Sequence, residues 1–319
     1  MLAQLLLKLG IPMAWREVYA LEQASLYFKN IFTARSLKVV ISSILAIAEV
    51  FGVFLFNGAL TPRGEKINEE ILQSEGYRIV FEDEFDGAEL DTTKWVYRAN
   101  GARRGGYNAP DQVKVKDGNL YITAQYRGQN DLPADTSAAY GEGWYVGMIM
   151  LKEKYKQGYF EIRCICNDSP GFWSAFWIQA DHPYEPELSR GGVGGAELDI
   201  FESLNYGARF KHDSVTQTVH CAGKGGSTST ELNSCNLGSF KGNDIYHTYN
   251  TYGLKWTEDE YIFYINGVET ARNAWADGVS EVEEYVIVSL EIPEAEKLPG
   301  DKSLTTDFIV DYVRVYQQK

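Results

Sequence analysis

The sequence predicts an all-β fold, and three observations lead to that prediction. From Tyr77 onward, short runs rich in β-branched and aromatic residues are separated by Gly, Asn, Asp and Pro. No stretch of ten residues with a helical period lies between those runs. With 45% hydrophobic and 13% aromatic residues, the chain can fill a large core. Together they predict a β-jelly-roll sandwich of two antiparallel sheets, of the concanavalin-like kind.

The predicted strands follow one another along the chain as YRIVFEDEF, QVKVKDGNLYITAQY, GYFEIRCIC, SAFWIQA, AELDIFES, DSVTQTVHCA, TYGLKWTEDEYIFYING, EYVIVSLEI and DFIVDYVRVYQ. The seventh run is long enough to fold back on itself. It predicts a hairpin with Asp259 near the turn, and Asn266-Gly267 is a typical two-residue turn into the next strand.

The N-terminal part differs in character from the rest of the chain. Residues 39–56 read VVISSILAIAEVFGVFLF, contain one charge and follow basic residues, as a transmembrane anchor or a signal peptide does. We therefore divide the chain into four parts: a short cytoplasmic extension or misassigned start (1–35), the membrane-directing helix (36–58), a charged linker (59–76) and one globular domain (77–319). The basic flank predicts an extracytoplasmic domain, either membrane-anchored or secreted.

Charge and cysteine content limit the function classes. A net charge of −14 disfavours nucleic acid and strongly anionic polymers as partners, so a neutral glycan fits better. Cys164 and Cys166 share one strand face at about 6.6 Å, a poor geometry for a mutual disulfide, which indicates two buried thiols. Cys221 and Cys235 could close a loop if the domain is extracytoplasmic, and this pairing stays open.

Three carboxylates stand inside the apolar run GGAELDIFESLNYG. In a regular strand Glu197 and Asp199 share a face, whereas Glu202 points the other way. One extra residue, a β-bulge, would bring Glu202 to the same face. The two glutamates would then approach to roughly 5 to 6 Å, the separation that retaining glycoside hydrolysis requires. Crowding of three carboxylates would raise at least one pKa, as a general acid needs.

This Glu-x-Asp-x-x-Glu segment resembles the active-site strand of glycoside hydrolase family 16, in its bulged, laminarinase-like branch. The resemblance extends from Tyr77 to the C-terminus through YRIVFEDEFDG, VKDGNLYITA, YKQGYFEIR, GFWSAFWIQ, TYGLKWTEDEYIFYINGV and VDYVRVYQ. It implies that Glu197 is the nucleophile, Glu202 the acid/base and Asp199 the assisting residue. It also implies that no cofactor is required.

The same resemblance implies further binding residues. Trp177 would line the sugar cleft, with Trp173 on the same strand face, and His220 would bind near the scissile sugar. The segment RANGARRGGYN departs from the family pattern and offers Asn100, Arg103, Arg104 and Tyr107 as substrate-binding residues. Two arginines there are either a solvated loop or partners for an acidic substituent, so this departure leaves the exact glycan open.

A structural calcium is the one metal that the resemblance suggests. Asp311 in the last strand would be its carboxylate ligand, with backbone carbonyls near Glu84 completing an oxygen site.

The sequence therefore predicts a monomeric retaining endo-glycoside hydrolase of a β-1,3 or mixed-linkage β-1,3-1,4-glucan, held at a membrane through its N-terminal helix. Two alternatives remain. One is a hydrolase of a β-galactan of the agar or carrageenan type, or a transglycosylase, on the same fold. The other is a non-catalytic, lectin-like glycan-binding domain, which would have no need for two glutamates on one strand.

Overall fold

Two β-sheets lie face to face in the computed structural model, which describes residues 58–135, 138–223, 233–273 and 277–319. The predicted β-sandwich is thereby confirmed. The membrane-directing segment 39–56 lies outside the described residues. Among the residues that are described, no helix is long and apolar enough to cross a membrane.

The strands are β1 (Tyr77–Asp83), β2 (Trp95–Tyr97), β3 (Gly101–Arg103), β4 (Gly106–Asn108), β5 (Val113–Lys116), β6 (Asn119–Arg127), β7 (Gly143–Val146), β8 (Met148–Tyr155), β9 (Gly158–Ile165), β10 (Trp173–Gln179), β11 (Glu197–Glu202), β12 (Ser214–Cys221), β13 (Asn233–Lys241), β14 (Asn250–Trp256), β15 (Tyr261–Ile265), β16 (Val268–Asn273), β17 (Glu284–Glu291) and β18 (Thr305–Gln318). The helices are α1 (Glu69–Ser74) and α2 (Pro186–Ser189), with single 3-10 turns at Pro110–Gln112, Arg190–Gly192 and Ala295–Lys297.

The smaller sheet contains β11, the strand with Glu197, Asp199 and Glu202. Its seven strands follow the order β13-β12-β11-β10-β17-β8-β2, and the larger sheet contains β1, β3–β7, β9, β14–β16 and β18. All strand pairs are antiparallel except β4 with β7, which is parallel, so the expectation of purely antiparallel sheets is wrong at this edge. The Asn266-Gly267 turn joins β15 to β16 with both residues left-handed, as predicted.

The core between the sheets is aromatic and closely packed. The Phe201 ring of β11 lies 4.1 Å from the Tyr252 ring of β14, so β11 packs directly against the larger sheet. Cys164 and Cys166 are buried, as predicted. Cys235 is paired in register with Val219, and Cys221 with Asn233, so the two cysteines are not cross-strand neighbours.

Residues 59–76 differ from the linker that their charge suggests. Leu60 forms a bridge with Phe240 and Lys66 with Val268, and helix α1 follows with Asn68 as its N-cap. Leu72 is only 1% exposed and belongs to an apolar cluster that includes Tyr77, Tyr159 and Tyr264. The segment is therefore an integral part of the sandwich.

Replacing Leu72 with Ala should destabilise the domain by about 2 to 4 kcal/mol, because the change leaves a cavity against the larger sheet. Glu70→Ala, on the exposed side of the same helix, is the matched control. Chemical denaturation of both variants measures the difference. Equal free energies of unfolding would mean that the segment is a loosely attached linker.

Candidate active site

A β-bulge interrupts the strand that carries the three carboxylates. On β10, Phe176 and Trp177 are adjacent, but their partners on β11 are Phe201 and Asp199. Toward β12, Asp199 pairs with Thr218 and Glu202 with Thr216, so three steps on β11 face two on its neighbour. One residue of β11 is therefore extra with respect to both neighbouring strands, as predicted.

The bulge changes which way the carboxylates point. Leu198, Ile200 and Phe201 are all fully buried in the core between the sheets. Two consecutive residues thus face the core, and Glu197, Asp199 and Glu202 face the opposite, outer side of the smaller sheet. Glu197 and Glu202 each retain partial exposure, whereas Asp199 is 5% exposed.

Glu197 is held by two polar side chains that reach over from neighbouring segments. Its Oε2 accepts a hydrogen bond from Gln179 Nε2 at 2.5 Å and another from the Tyr184 hydroxyl. Gln179 Nε2 also donates to the Tyr184 oxygen at 3.1 Å. Both donors engage the same oxygen, so one side of the carboxylate is fixed in place.

Glu202 lies in a different environment. Its Oε1 accepts a hydrogen bond from the Trp173 indole at 2.9 Å. Burial raises the pKa of Glu202 to about 8, and the charges of Asp199 and Glu291 act in the same direction. Glu202 is consequently protonated at neutral pH and can serve as an acid.

Asp199 stands between the two glutamates and contacts His220. The His220 Nε2 atom is 3.0 Å from Asp199 Oδ2, and its Nδ1 atom is 2.6 Å from the Ser234 hydroxyl. Burial, followed by the charge of Glu197, raises the pKa of Asp199 well above its usual range. Glu197, Asp199 and His220 have ligand atoms within 4.8 Å of one another, but their hydrogen bonds already occupy these groups.

Trp173 and Trp177 share the face of β10 that lies beside the three carboxylates, as predicted, in a cluster with Ala175 and Ile287. The Trp177 indole donates to Ser289 at 3.0 Å and is 8% exposed. A guanidinium covers each ring: Arg98 lies 5.4 Å from the centre of Trp177 and Arg104 lies 4.9 Å from that of Trp173. Each indole therefore has one face occupied by a cation.

Arg103 and Arg104 converge on Glu291. Arg103 Nη2 lies 2.5 Å from Glu291 Oε2, and Arg104 Nη1 lies 3.4 Å from the same atom. Glu291 is 4% exposed and is paired in register with Trp173. The two arginines therefore neutralise a buried carboxylate beside the site.

The other two residues predicted from this segment lie apart from the carboxylates. Tyr107 stacks on Tyr145 at 5.0 Å and contacts Tyr140, in an aromatic cluster on the larger sheet. Asn100 directly precedes β3 and is half-buried. Beside Trp173 the surface opens into a cavity of about 540 Å³, lined by residues that include Arg104, Phe172, Tyr206 and Lys297.

Asp311 accepts a hydrogen bond from Arg163, and Glu84 accepts one from Arg314 at 2.8 Å. These guanidinium groups supply the positive charge at the position predicted for calcium. An ion at Asp311 would compete with Arg163 for this carboxylate, and a structural calcium there, completed by backbone carbonyls near Glu84, stays a prediction.

Four residues that the sequence did not single out complete the site: Arg98, Gln179, Tyr184 and Glu291. Gln179 and Glu291 carried a signal, since both are polar residues within otherwise apolar strands. Arg98 and Tyr184 lie outside regular strands, where no periodicity indicates a direction.

Glu284 binds the backbone directly before β11. Its Oε1 accepts the backbone N–H of Ala196 at 3.0 Å, and the side chain is fully buried. Burial raises the pKa of Glu284 to about 8. The neutral acid is therefore the form that the fold favours.

A family model described as beta-porphyranase A-D, GH16 domain, matches residues 80–318. The endo-1,3-1,4-beta-glycanase ExsH of Rhizobium meliloti is 29% identical over 208 residues, which are 63% of this chain. The chain spans 39% of the length of that relative.

Two solved structures have the same fold. SCLam, a non-specific endo-beta-1,3(4)-glucanase, has a TM-score of 0.60 at 22% identity and covers 82% of this chain and 97% of its own. Porphyranase B from Zobellia galactanivorans has a TM-score of 0.58 at 22% identity, with coverages of 76% and 92%.

The raised pKa of Glu284 makes stability depend on pH. Its pKa rises from 4.5 to about 8 on folding, so its contribution is complete below pH 4.5 and is lost as pH rises through 8. In this range the free energy of unfolding should fall by up to about 1.4 kcal/mol per pH unit for such a group. Glu284→Gln should flatten the decline, and exposed Glu281→Gln should not. Parallel pH curves for the wild type and Glu284→Gln would contradict the assignment.

Proposed function

Because the chain belongs to glycoside hydrolase family 16, we propose that it is a retaining endo-acting hydrolase of a β-1,3 or mixed-linkage β-1,3-1,4-glucan. One observation carries the proposal. The bulge in β11 brings Glu197 and Glu202 to the same face of the smaller sheet, in two unlike environments. Retaining hydrolysis needs that difference, because one carboxylate must attack and the other must donate a proton.

In the proposed first step, a Glu197 oxygen attacks the anomeric carbon while the glycosidic C–O bond breaks. The departing oxygen takes the proton of Glu202, whose pKa of about 8 keeps it protonated at neutral pH. In the second step, the Glu202 carboxylate takes a proton from water. The water oxygen attacks the same carbon and releases Glu197, so two inversions give net retention.

Asp199 is the proposed assisting residue. It is buried between the glutamates and contacts His220 at 3.0 Å. From this position Asp199 can orient the carboxylates on either side of it. His220 would then bind the sugar next to the scissile bond while it orients Asp199.

We propose that Trp173 and Trp177 line the cleft, Trp173 with the exposed part of its ring and Trp177, which is 8% exposed, with the edge that reaches the surface. The cavity beside Trp173 extends the cleft on the side of Glu202. Sugar rings pack against aromatic faces, so this cavity suits the part of the glycan that leaves first. We propose that Asn100 and Tyr107 bind sugars further from the reacting bond.

A neutral glucan agrees with the charges around the carboxylates. Arg103 and Arg104 both pair with Glu291, so an anionic substituent would have to displace this carboxylate to bind either guanidinium. Similarity to ExsH, an endo-1,3-1,4-beta-glycanase, and to SCLam, an endo-beta-1,3(4)-glucanase, supports the same substrate class.

The second candidate is a β-galactan of the porphyran type. The family model matched by this chain is that of beta-porphyranases, which favours this reading. An anionic galactan would have to compete with Glu291 for the guanidinium groups, and this is why the neutral glucan is our first choice.

We further propose that the domain acts outside the cytoplasm as a monomer, anchored or exported through residues 36–58. The support is the apolar sequence of 39–56 with its basic flank. A polymeric substrate requires the same location, because it does not cross a membrane.

Glu197→Ala should abolish hydrolysis, and azide should restore turnover by attacking in place of the missing carboxylate. The product should be an α-glycosyl azide, formed by a single inversion and identified by NMR. Glu197→Gln should be inactive yet retain glycan binding. A fully active Glu197→Gln variant would exclude the proposed nucleophile.

Incubation of the protein with laminarin, lichenan, agarose, carrageenan and porphyran tests the substrate. We expect short oligosaccharides from laminarin or lichenan, released from within the chains. Products from porphyran alone would favour the second candidate. Binding without products from any of the five would favour a lectin-like domain.

A further inference from the structure

The proposed function leaves Arg98 and Arg104, which lie over the two tryptophans of β10, without a role in the reaction. We propose that Arg98 and Arg104 are positioning residues, one for each catalytic glutamate. Each arginine acts through one intermediate hydrogen-bond donor. This inference rests on the proposed function, because it assigns no reaction of its own.

The first relay leads to Glu197. Arg98 Nη2 donates to Gln179 Oε1, and Gln179 Nε2 donates to Glu197 Oε2 at 2.5 Å. The amide of Gln179 can rotate by half a turn, which would present its oxygen to the carboxylate. Arg98 removes that alternative because a guanidinium is only a donor. Arg98 thereby fixes the orientation in which Gln179 binds the nucleophile.

The Arg98 side chain is itself held firmly. Its backbone N–H donates to Met148 O at 2.9 Å, directly after β2. Its guanidinium lies over the Trp177 ring. The side chain is therefore constrained from both ends.

The second relay leads to Glu202. Arg104 lies 4.9 Å from the centre of the Trp173 ring, whose indole N–H donates to Glu202 Oε1 at 2.9 Å. The Arg104 guanidinium also forms an ion pair with Glu291, which is paired in register with Trp173. The stacked Arg104 guanidinium thus stabilises the Trp173 rotamer whose indole N–H donates to Glu202.

The backbone at Arg104 supports a specific role. Arg104 has φ +47°, in the left-handed region that favours glycine, although Gly105 and Gly106 follow it. The turn is pressed against the segment after β17, since a Cβ at Gly105 would lie 2.7 Å from Ala295 N. The tightly packed turn therefore fixes the point from which the Arg104 side chain reaches the Trp173 ring.

The test compares Arg104→Gln and Arg98→Gln with Arg127→Gln. Arg127 is a matched control, because it also stacks on an aromatic ring, Tyr145, and pairs with Asp111 at 2.7 Å, but it lies on the larger sheet. Thermal melting checks that each variant folds. Arg104→Lys and Arg98→Lys keep the charge and should recover part of the lost activity.

Arg104→Gln should lower kcat on polysaccharide by about ten- to a hundredfold. An aryl glycoside with a good leaving group should be affected much less, because it does not need the acid. The charged and titratable groups that face Glu202 are Asp199 in β11, His220 from β12, Glu291 from β17 and, across Trp173, Arg104. Loss of Arg104 weakens the indole hydrogen bond and leaves Glu291 less neutralised, so the alkaline limb of the pH profile should move to higher pH.

Arg98→Gln should instead lower kcat on both substrates by a similar factor, because the nucleophile acts on each. An increase in KM alone for either variant would mean that the arginine binds substrate, and would overturn the positioning role. Variants indistinguishable from Arg127→Gln would overturn it as well. Glu197→Gln assayed in parallel tests the proposed function separately: if it is inactive while the arginine variants match the control, only this inference fails.

Discussion

The extra residue in β11 is the constraint on which the site depends. It places Ile200 and Phe201 consecutively in the core, where both are fully buried, and thereby returns Glu202 to the face of Glu197. Phe201 packs 4.1 Å from Tyr252 of the larger sheet, so the irregularity is held by core packing. Loss of the extra residue would direct Glu202 into an apolar interior, at a large desolvation cost.

The same fold that aligns the two glutamates also makes them different. Glu197 receives two hydrogen bonds on one carboxylate oxygen, from Gln179 and from Tyr184. Glu202 receives one, from Trp173, and burial raises its pKa. The proposed proton donor and the proposed nucleophile thus differ in the neighbours that β10 and its following loop supply.

Much of this arrangement could be predicted from the sequence, because alternation in strands fixes the face of each residue. The three carboxylates, the pair of tryptophans on β10 and the bulge itself follow from that rule together with the chemistry that the carboxylates serve. The packing of residues 59–76 onto the sandwich could not be predicted, because only Ile67 and Leu72 of this segment are buried and the segment contains many charged residues. Arg98 and Tyr184 could not be predicted because loop residues have no periodicity. The polar character of Glu291 within an apolar strand is visible in the sequence, but its pairing with Arg103 and Arg104 is not, because these partners are distant in sequence.

The most direct measurement of the central claim is the anomeric configuration of the first product, followed by proton NMR during hydrolysis of a β-glucan. Two glutamates that face one another across a glycosidic bond predict that the β-anomer forms first and mutarotates later. Initial formation of the α-anomer would require a water molecule between the carboxylates, and would contradict the account of β11.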